Sequence, residues 1–404
     1  MSLFDKFEKT AAQLELLSET GRNPFSVVME RIKSPTRAVI KGRETVLAGT
    51  HNYLGQTFER KAIEAAKKAL DEEGTGTTGS RVANGTFAPH RLLEAEIAEF
   101  LGMKRCIVFS TGYMANLGGI AGLVAPGEDV VLIDADCHAC IYDGCQLSGV
   151  ETVRFRHNDP HSLDKRLGRL DPTIKGKLVC IEGMYSMFGD VAPIKEFAEV
   201  THRHGAHLFV DEAHSFGVYG PKGRGVAEAQ GALDEVDFYS GTFSKSLATI
   251  GGFVASNHDQ LEYLRLAARP YMFTASPSPA TIASARAALA NIAASPQLRA
   301  KLWANAGRLH AAFTQLGLKL ASGPGPVISV LLPDRETAFM AWGHLLDNGV
   351  YVNMAVPPAT PNAASLLRLS VSAAHTNEDI DDIVAAYTAL ADAFAGARVA
   401  AQAE

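Results

Sequence analysis

Two short stretches carry the residues best suited to chemistry. Asp211 and His214 follow the apolar run His207-Leu-Phe-Val210, and Thr242 and Lys245 follow Asp237-Phe-Tyr-Ser240. Each run has the composition of a buried strand, and open α/β sheets gather their ligands at the carboxyl ends of such strands. A carboxylate, an imidazole and an amine brought together there suit a cofactor with a basic ring nitrogen and an aldehyde, which is pyridoxal 5'-phosphate (PLP). The amine would form the Schiff base and the carboxylate would pair with the pyridinium nitrogen. A lone lysine is ordinarily a solvated surface residue. Lys245 is set apart by its flank, Gly241-Thr-Phe-Ser-Lys-Ser246, which is polar and lies between two strand-like runs. Asp211-Glu-Ala-His214 also spells a signature of nucleic-acid helicases, but that chemistry needs a G-x-x-x-x-G-K-[ST] phosphate loop, and the chain has none.

Placing these groups takes a sheet with helices between its strands. From residue 106 the pattern alternates accordingly. Strands are expected at 106–109, 129–134, 152–156, 177–181, 207–210, 237–240 and 252–255, with helices between them, giving a mainly parallel sheet covered on both faces. After the first of these strands, Ser110-Thr-Gly-Tyr-Met-Ala-Asn116 would open a helix. The N–H groups of a helix start bind anions, so this is the expected phosphate site, with Gly112 permitting close approach. Upstream, residues 2–19 place Leu3, Phe4, Phe7, Ala11, Leu14 and Leu17 at the spacing of an amphipathic helix. A short hairpin follows at 36–50, then a helix at about 61–73. Gly74-Thr-Gly-Thr-Thr-Gly79 matches G-x-G-x-x-G, but it follows a helix instead of a strand and so does not read as a dinucleotide site. Beyond residue 257 a Pro-punctuated connector, Arg269 to Pro279, and a long helix at 280–293 lead to strands at 327–332, 350–352 and 366–371. This is a smaller α+β unit closed by a helix from Asn377. The expected division is 1–50 (N-terminal helix and hairpin), 51–277 (large α/β domain) and 278–404 (α+β domain).

With 404 residues, 47% hydrophobic and 20% charged, the chain has the composition of a globular protein large enough for two or three units. A net charge of -6 provides no basic field for nucleic acid. No apolar run approaches a membrane span, and the N-terminus has no signal-peptide core, so a cytosolic location is the default expectation. Peripheral contact with the inner face of a membrane is left open through the N-terminal helix or the Pro357-Pro358 region. Five cysteines include Cys137-His-Ala-Cys140 and Cys145. The C-x-x-C pair could open a zinc site, but no second pair completes it, so small residues packing at a strand-to-helix turn is the preferred reading, and no metal is expected.

In order along the chain, Ser110-Thr-Gly-Tyr-Met-Ala-Asn116, Asp136-Cys-His138, Glu182-Gly-Met-Tyr-Ser-Met187, Asp211-Glu-Ala-His214 and Gly241-Thr-Phe-Ser-Lys245 resemble the boxes of the α-oxoamine synthases, fold-type I PLP enzymes. The resemblance runs from about Asn23 to His375. It is greatest to the branch that condenses L-serine with a long-chain acyl thioester such as palmitoyl-CoA. It implies that Lys245 forms the Schiff base, Asp211 pairs with the pyridinium, His214 meets the phenolic oxygen and Thr242 meets the phosphate. Gly112 and Tyr113 would belong to the phosphate loop. His138 would stack on the ring and steer substrate, its ordinary alternative being a hydrogen-bonded structural histidine. Thr274 and Ser276 would reach the phosphate of the neighbouring subunit, which implies a homodimer with shared active sites. Asn52 would stand near cofactor and substrate.

The chain departs from the family at Asn353-Met-Ala-Val-Pro-Pro358, where relatives commonly carry an arginine at the position of Val356. Val356 cannot pair with a carboxylate, which leaves Arg368, matching the second family arginine, as the expected carboxylate ligand. Phe188 stands where many relatives have aspartate. Other uses of the same chemistry remain as alternatives: alanine with a pimeloyl thioester, or glycine as the amino acid. An acyl carrier protein could replace coenzyme A as the donor. A non-catalytic partner subunit is disfavoured because such subunits lack the lysine.

Overall fold

The computed structural model describes residues 2–8, 11 and 23–403, with side chains through Phe394. Near the N-terminus a 3-10 turn, Asp5–Phe7, is followed by helical Glu8 and Ala11, with Leu3, Phe4 and Phe7 exposed; the other positions of the helix expected over 2–19 lie outside the described residues.

Strands β1 (Arg31–Ile32), β2 (Arg37–Ile40) and β3 (Arg43–Leu47) form an antiparallel set, and the β2–β3 pair is the hairpin expected from the sequence. Helix α1 (Arg60–Glu73) and helix α2 (Ala88–Leu101) follow. The loop between them holds the Gly74 to Gly79 string. A Cβ on Gly85 would lie 2.3 Å from the carbonyl oxygen of Gly79, so glycine there lets the loop fold back on itself.

The main sheet has seven strands: β4 (Arg105–Phe109), β5 (Asp129–Asp134), β6 (Glu151–Phe155), β7 (Gly176–Glu182), β8 (His207–Asp211), β9 (Phe238–Thr242) and β10 (Gly252–Ser256). Their spatial order is β4-β10-β9-β8-β7-β5-β6. β10 runs antiparallel to both of its neighbours, and the other adjacent pairs are parallel. All strands but β10 therefore point the same way, and their carboxyl ends share one edge. The central strands read as unbroken apolar runs because both faces are covered: Val130 to Ile133 and Leu208 to Val210 are wholly buried. Helices α3 (Gly112–Leu123), α4 (Ala139–Ser148), α5 (Pro160–Leu167) and α6 (Ile194–Arg203) supply the cover. Each buried Val or Ile contributes about 1.5–3 kcal/mol to holding this frame.

The long helix α7 (Pro279–Ala294) starts at Ser278, whose hydroxyl accepts from the Thr281 N–H, and packs along α1. After α8 (Pro296–Gln315), strand β11 (Val327–Leu332), helix α9 (Arg335–Asp347), β12 (Val350–Tyr351), β13 (Asn353–Ala355) and β14 (Ser365–Ser370) build the C-terminal layer, closed by α10 (Asn377–Ala403). β11, β14 and β13 form one antiparallel sheet, whereas β12 pairs in parallel with β3. The hairpin, expected in an N-terminal unit of residues 1–50, is thereby stitched into the C-terminal layer. Among the described residues no helix is long and apolar enough to cross a membrane.

Candidate active site

The shared carboxyl edge of the main sheet opens into a cavity of about 850 Å³. At one end lies the start of α3. Thr111 caps it with a hydroxyl that accepts from the Met114 N–H at 3.1 Å, and the N–H groups of Gly112 and Tyr113 are among those a helix cannot pair internally. A Cβ on Gly112 would lie 2.7 Å from Oγ1 of Thr242, so only glycine lets these two elements meet. Thr242 donates to the Gly251 carbonyl at 3.1 Å and stands 2.9 Å from the Ser244 hydroxyl. The backbone of Tyr113 belongs to this cradle, while its exposed phenol is turned to Asp143, to which it donates.

Asp211, at the end of β8, is buried on the cavity wall. Its Oδ2 accepts from Asn116 Nδ2 and its Oδ1 from the Ala213 N–H at 2.8 Å. Asn116 in turn accepts from the Ser240 hydroxyl at 2.7 Å. This relay fixes the plane of the carboxylate. Asn116 is the last residue of its sequence box, one helical turn beyond Gly112, yet no spacing in the sequence tied it to a residue 95 positions away.

Lys245 lines the same cavity, and enclosure by protein lowers its pKa to about 8 against the attraction of Asp211 and Glu182. Glu182, at the end of β7, is fully buried, and burial together with the Asp211 charge raises its pKa well above the carboxylate range. It accepts from the His138 backbone N–H. His138 both lines the cavity and caps α4, accepting from the Cys140 N–H at 3.2 Å; burial lowers its pKa and favours the neutral ring. His214 is likewise held neutral by burial, and its Nδ1 lies 2.8 Å from the Tyr53 hydroxyl.

Arg368 projects from β14 across the cavity. Its Nε donates to the Ser186 carbonyl, and Nη1 donates to His51 Nε2 at 2.7 Å and to the Ser370 hydroxyl at 3.1 Å. Burial and the Arg368 charge push the His51 pKa far down, consistent with Nε2 as the acceptor. Nη2 of Arg368 is buried without a partner among the described residues. The same cavity is lined by the apolar Phe25, Met187, Ile250, Met354, Val356 and the cis Pro357-Pro358 pair, and by exposed Arg335.

One expectation needs correction. Asn52 does not line the cavity: its Nδ2 donates to the Thr57 hydroxyl at 2.8 Å, and its neighbour His51 takes the position facing Arg368. In this irregular segment adjacent side chains face opposite ways, so the two residues could not be told apart from their order. Thr274 and Ser276, expected at the phosphate of a neighbouring subunit, lie outside the cavity of their own chain. Ser276 pairs with His90 Nε2 at 2.9 Å and takes the Gly79 carbonyl on its backbone N–H. Phe188 does not line the cavity either. All five cysteines are free and buried, and Cys140 Sγ packs against Asn116 and His138. His51, Asn116 and Glu182 are among the cavity residues to which the sequence assigned no role.

The family model for class I and II aminotransferases matches residues 46–386, and the chain belongs to that family. It has the fold-type I architecture, and the residues that resemble the α-oxoamine synthases place it with them. It is 51% identical over 387 residues to a serine palmitoyltransferase of Caulobacter vibrioides, covering 96% of each chain. A solved serine palmitoyltransferase from S. paucimobilis, a lysine-to-alanine variant with a bound PLP-myriocin aldimine, superposes with a TM-score of 0.95 at 49% identity, covering 97% of this chain and 99% of that one. An 8-amino-7-oxononanoate synthase of Anaeromyxobacter dehalogenans is more distant, at 38% over 379 residues and 94% of each chain.

Proposed function

We propose that the chain is a PLP-dependent serine C-palmitoyltransferase, condensing L-serine with a long-chain acyl thioester, palmitoyl-CoA, to give 3-oxosphinganine and so open sphingolipid synthesis. The observation that carries the reading is the buried Nη2 of Arg368, unpartnered among the described residues, in a cavity with an extensive apolar lining that also holds Lys245 and Asp211. An amino-acid carboxylate and a long acyl chain are the two ligands such a wall accepts. The choice of serine is supported by the relatives of about 50% identity.

The residues present fit PLP. The α3 cradle, closed to any side chain at Gly112, suits its phosphate, with Thr242 beside it. Lys245 would bond to its aldehyde carbon, Asp211 would hold a proton on the ring nitrogen, His214 would face the phenolic oxygen and His138 the ring. When bound, the cofactor supplies an electron sink for negative charge at the substrate Cα.

The protein's own groups do the rest. Arg368 offers Nη2 to the serine carboxylate and so orients Cα. Lys245, whose pKa burial lowers to about 8, is the amine placed to take the Cα proton of the amino acid. The Asn116–Asp211 contact holds the carboxylate in the orientation in which it would meet the ring nitrogen. The new carbon–carbon bond forms at the thioester carbonyl with loss of the thiol, and the resulting β-keto acid loses carbon dioxide. The apolar lining of the cavity receives the acyl chain and excludes water from it. Thr274 and Ser276, outside this cavity, would complete the phosphate site of a second subunit in a homodimer. The cytosol is the proposed location.

The test is an absorbance titration of the holoenzyme with L-serine, L-alanine and glycine. A saturable shift with serine alone agrees with the proposal. A response to alanine or glycine but not to serine would move the function to another branch of the α-oxoamine synthases.

A further inference from the structure

At the opposite edge of the main sheet, away from the cavity, three ligand atoms converge. His207 opens β8, Asp237 immediately precedes β9, and His258 lies just past the end of the antiparallel β10, so three neighbouring strands bring them together. His258 Nε2 stands 2.7 Å and His207 Nδ1 3.1 Å from the same oxygen, Oδ1 of Asp237. All three ligand atoms lie within 4.8 Å of one another. The two imidazole rings meet edge to face, 5.4 Å between centroids and at 85°.

We propose that His207, Asp237 and His258 form a zinc site that clips the amino ends of β8 and β9 to the carboxyl end of β10. Zinc takes imidazole nitrogen and carboxylate oxygen at about 2.0–2.2 Å, which sets tetrahedral ligand atoms roughly 3.3 Å apart. The separations from Oδ1, 3.1 Å for His207 and 2.7 Å for His258, fall short of that by about 0.2 and 0.6 Å, so the two partly exposed rings must open outward to admit the ion. The second carboxylate oxygen is already engaged: Oδ2 accepts from the Leu208 N–H at 2.8 Å and from His202 Nε2 at 3.0 Å. These outer contacts orient the carboxylate and leave Oδ1 for the metal. The side chain of His207 is 54% exposed and that of His258 39%, which gives an ion a path from solvent and leaves room for water at the fourth position.

A hub carboxylate serving several histidine N–H groups is the ordinary alternative. What the metal reading adds is the mutual approach of all three ligand atoms at a solvent-accessible spot, with the other oxygen held from behind. Because the ligands come from three strand ends on the side remote from Lys245, the ion's role is structural and the condensation chemistry does not need it.

The test uses holoenzyme stripped with chelator and desalted, then titrated with Co²⁺ as a spectroscopic stand-in and with Zn²⁺. The expected result is a tetrahedral Co²⁺ absorption saturating at one ion per chain and a Zn²⁺-dependent rise in Tm of roughly 2–5 °C. Both should vanish in H258Q and in H207Q and persist in H202Q, with turnover unchanged in all three. Far-UV circular dichroism checks that each variant is folded. Absence of the Co²⁺ band in the parent, or equal uptake by H207Q and H258Q, overturns the proposal; the second result would place the ion elsewhere, for instance against Cys140 and His138.

Discussion

Replacing Arg368 with lysine tests how the amino acid is held. In the native site Nε and Nη1 are committed to Ser186, His51 and Ser370, so Nη2 alone remains for the ligand. A lysine keeps the positive charge but has one nitrogen and no fork, and cannot brace itself on the protein while gripping a carboxylate. The loss is a hydrogen bond between charged groups, about 1.5–3 kcal/mol, which weakens L-serine binding about 10- to 150-fold. Val356 on the same wall has no charge with which to compensate. Equilibrium absorbance titration of the R368K holoenzyme with L-serine reads the change directly, and steady-state kinetics should place most of it in KM, because the carboxylate is held alike in ground and transition states. A serine Kd within twofold of the parent, in a variant that retains its cofactor, would refute the reasoning. Arg335 in the cavity lining would then be the next cation to examine.

Lys245→Ala removes the proposed proton acceptor, and turnover should fall by at least ~10²-fold, the contribution general-base catalysis commonly makes; wild-type turnover in K245A would end the assignment. Asn116→Ala deprives buried Asp211 of a donor and Ser240 of its acceptor. At about 1–3 kcal/mol per unsatisfied buried group, Tm should drop and PLP should dissociate faster, and dialysis against cofactor-free buffer measures the second effect. His157 links Asp134 and Asp190, each at 2.8 Å. Burial opposes its charge, but the two carboxylates prevail and raise its pKa to about 10. A pKa raised by folding adds stability that is complete below the unfolded value of about 6.5 and disappears as pH rises through about 10. The Tm gap between the parent and H157Q should therefore be largest near pH 6 and close toward pH 10; a gap that stays constant over that range would show that the carboxylates do not set it.

Much of this was legible in the chain. The strand at 129–134 and the helix opening at Gly112 follow from local apolar runs and from glycine placement, which tertiary contacts reinforce without redirecting. Asp211, His214, Thr242 and Lys245 were readable for the same reason: each lies within a few residues of a strand end, and all parallel strand ends share one edge of the sheet. The tertiary structure alone decided matters that depend on where distant segments meet or which way an irregular segment turns. It chose His51 over Asn52 for the cavity wall, set Asn116 against Asp211, and carried the N-terminal hairpin to β12 near the far end of the chain. It also left Nη2 of Arg368 without a partner among the described residues and gathered His207, Asp237 and His258 from three strands. Local sequence determines backbone period and strand termini through sterics and burial, whereas a side chain's partner across a hundred residues is set by packing that exists only once the sheet has formed.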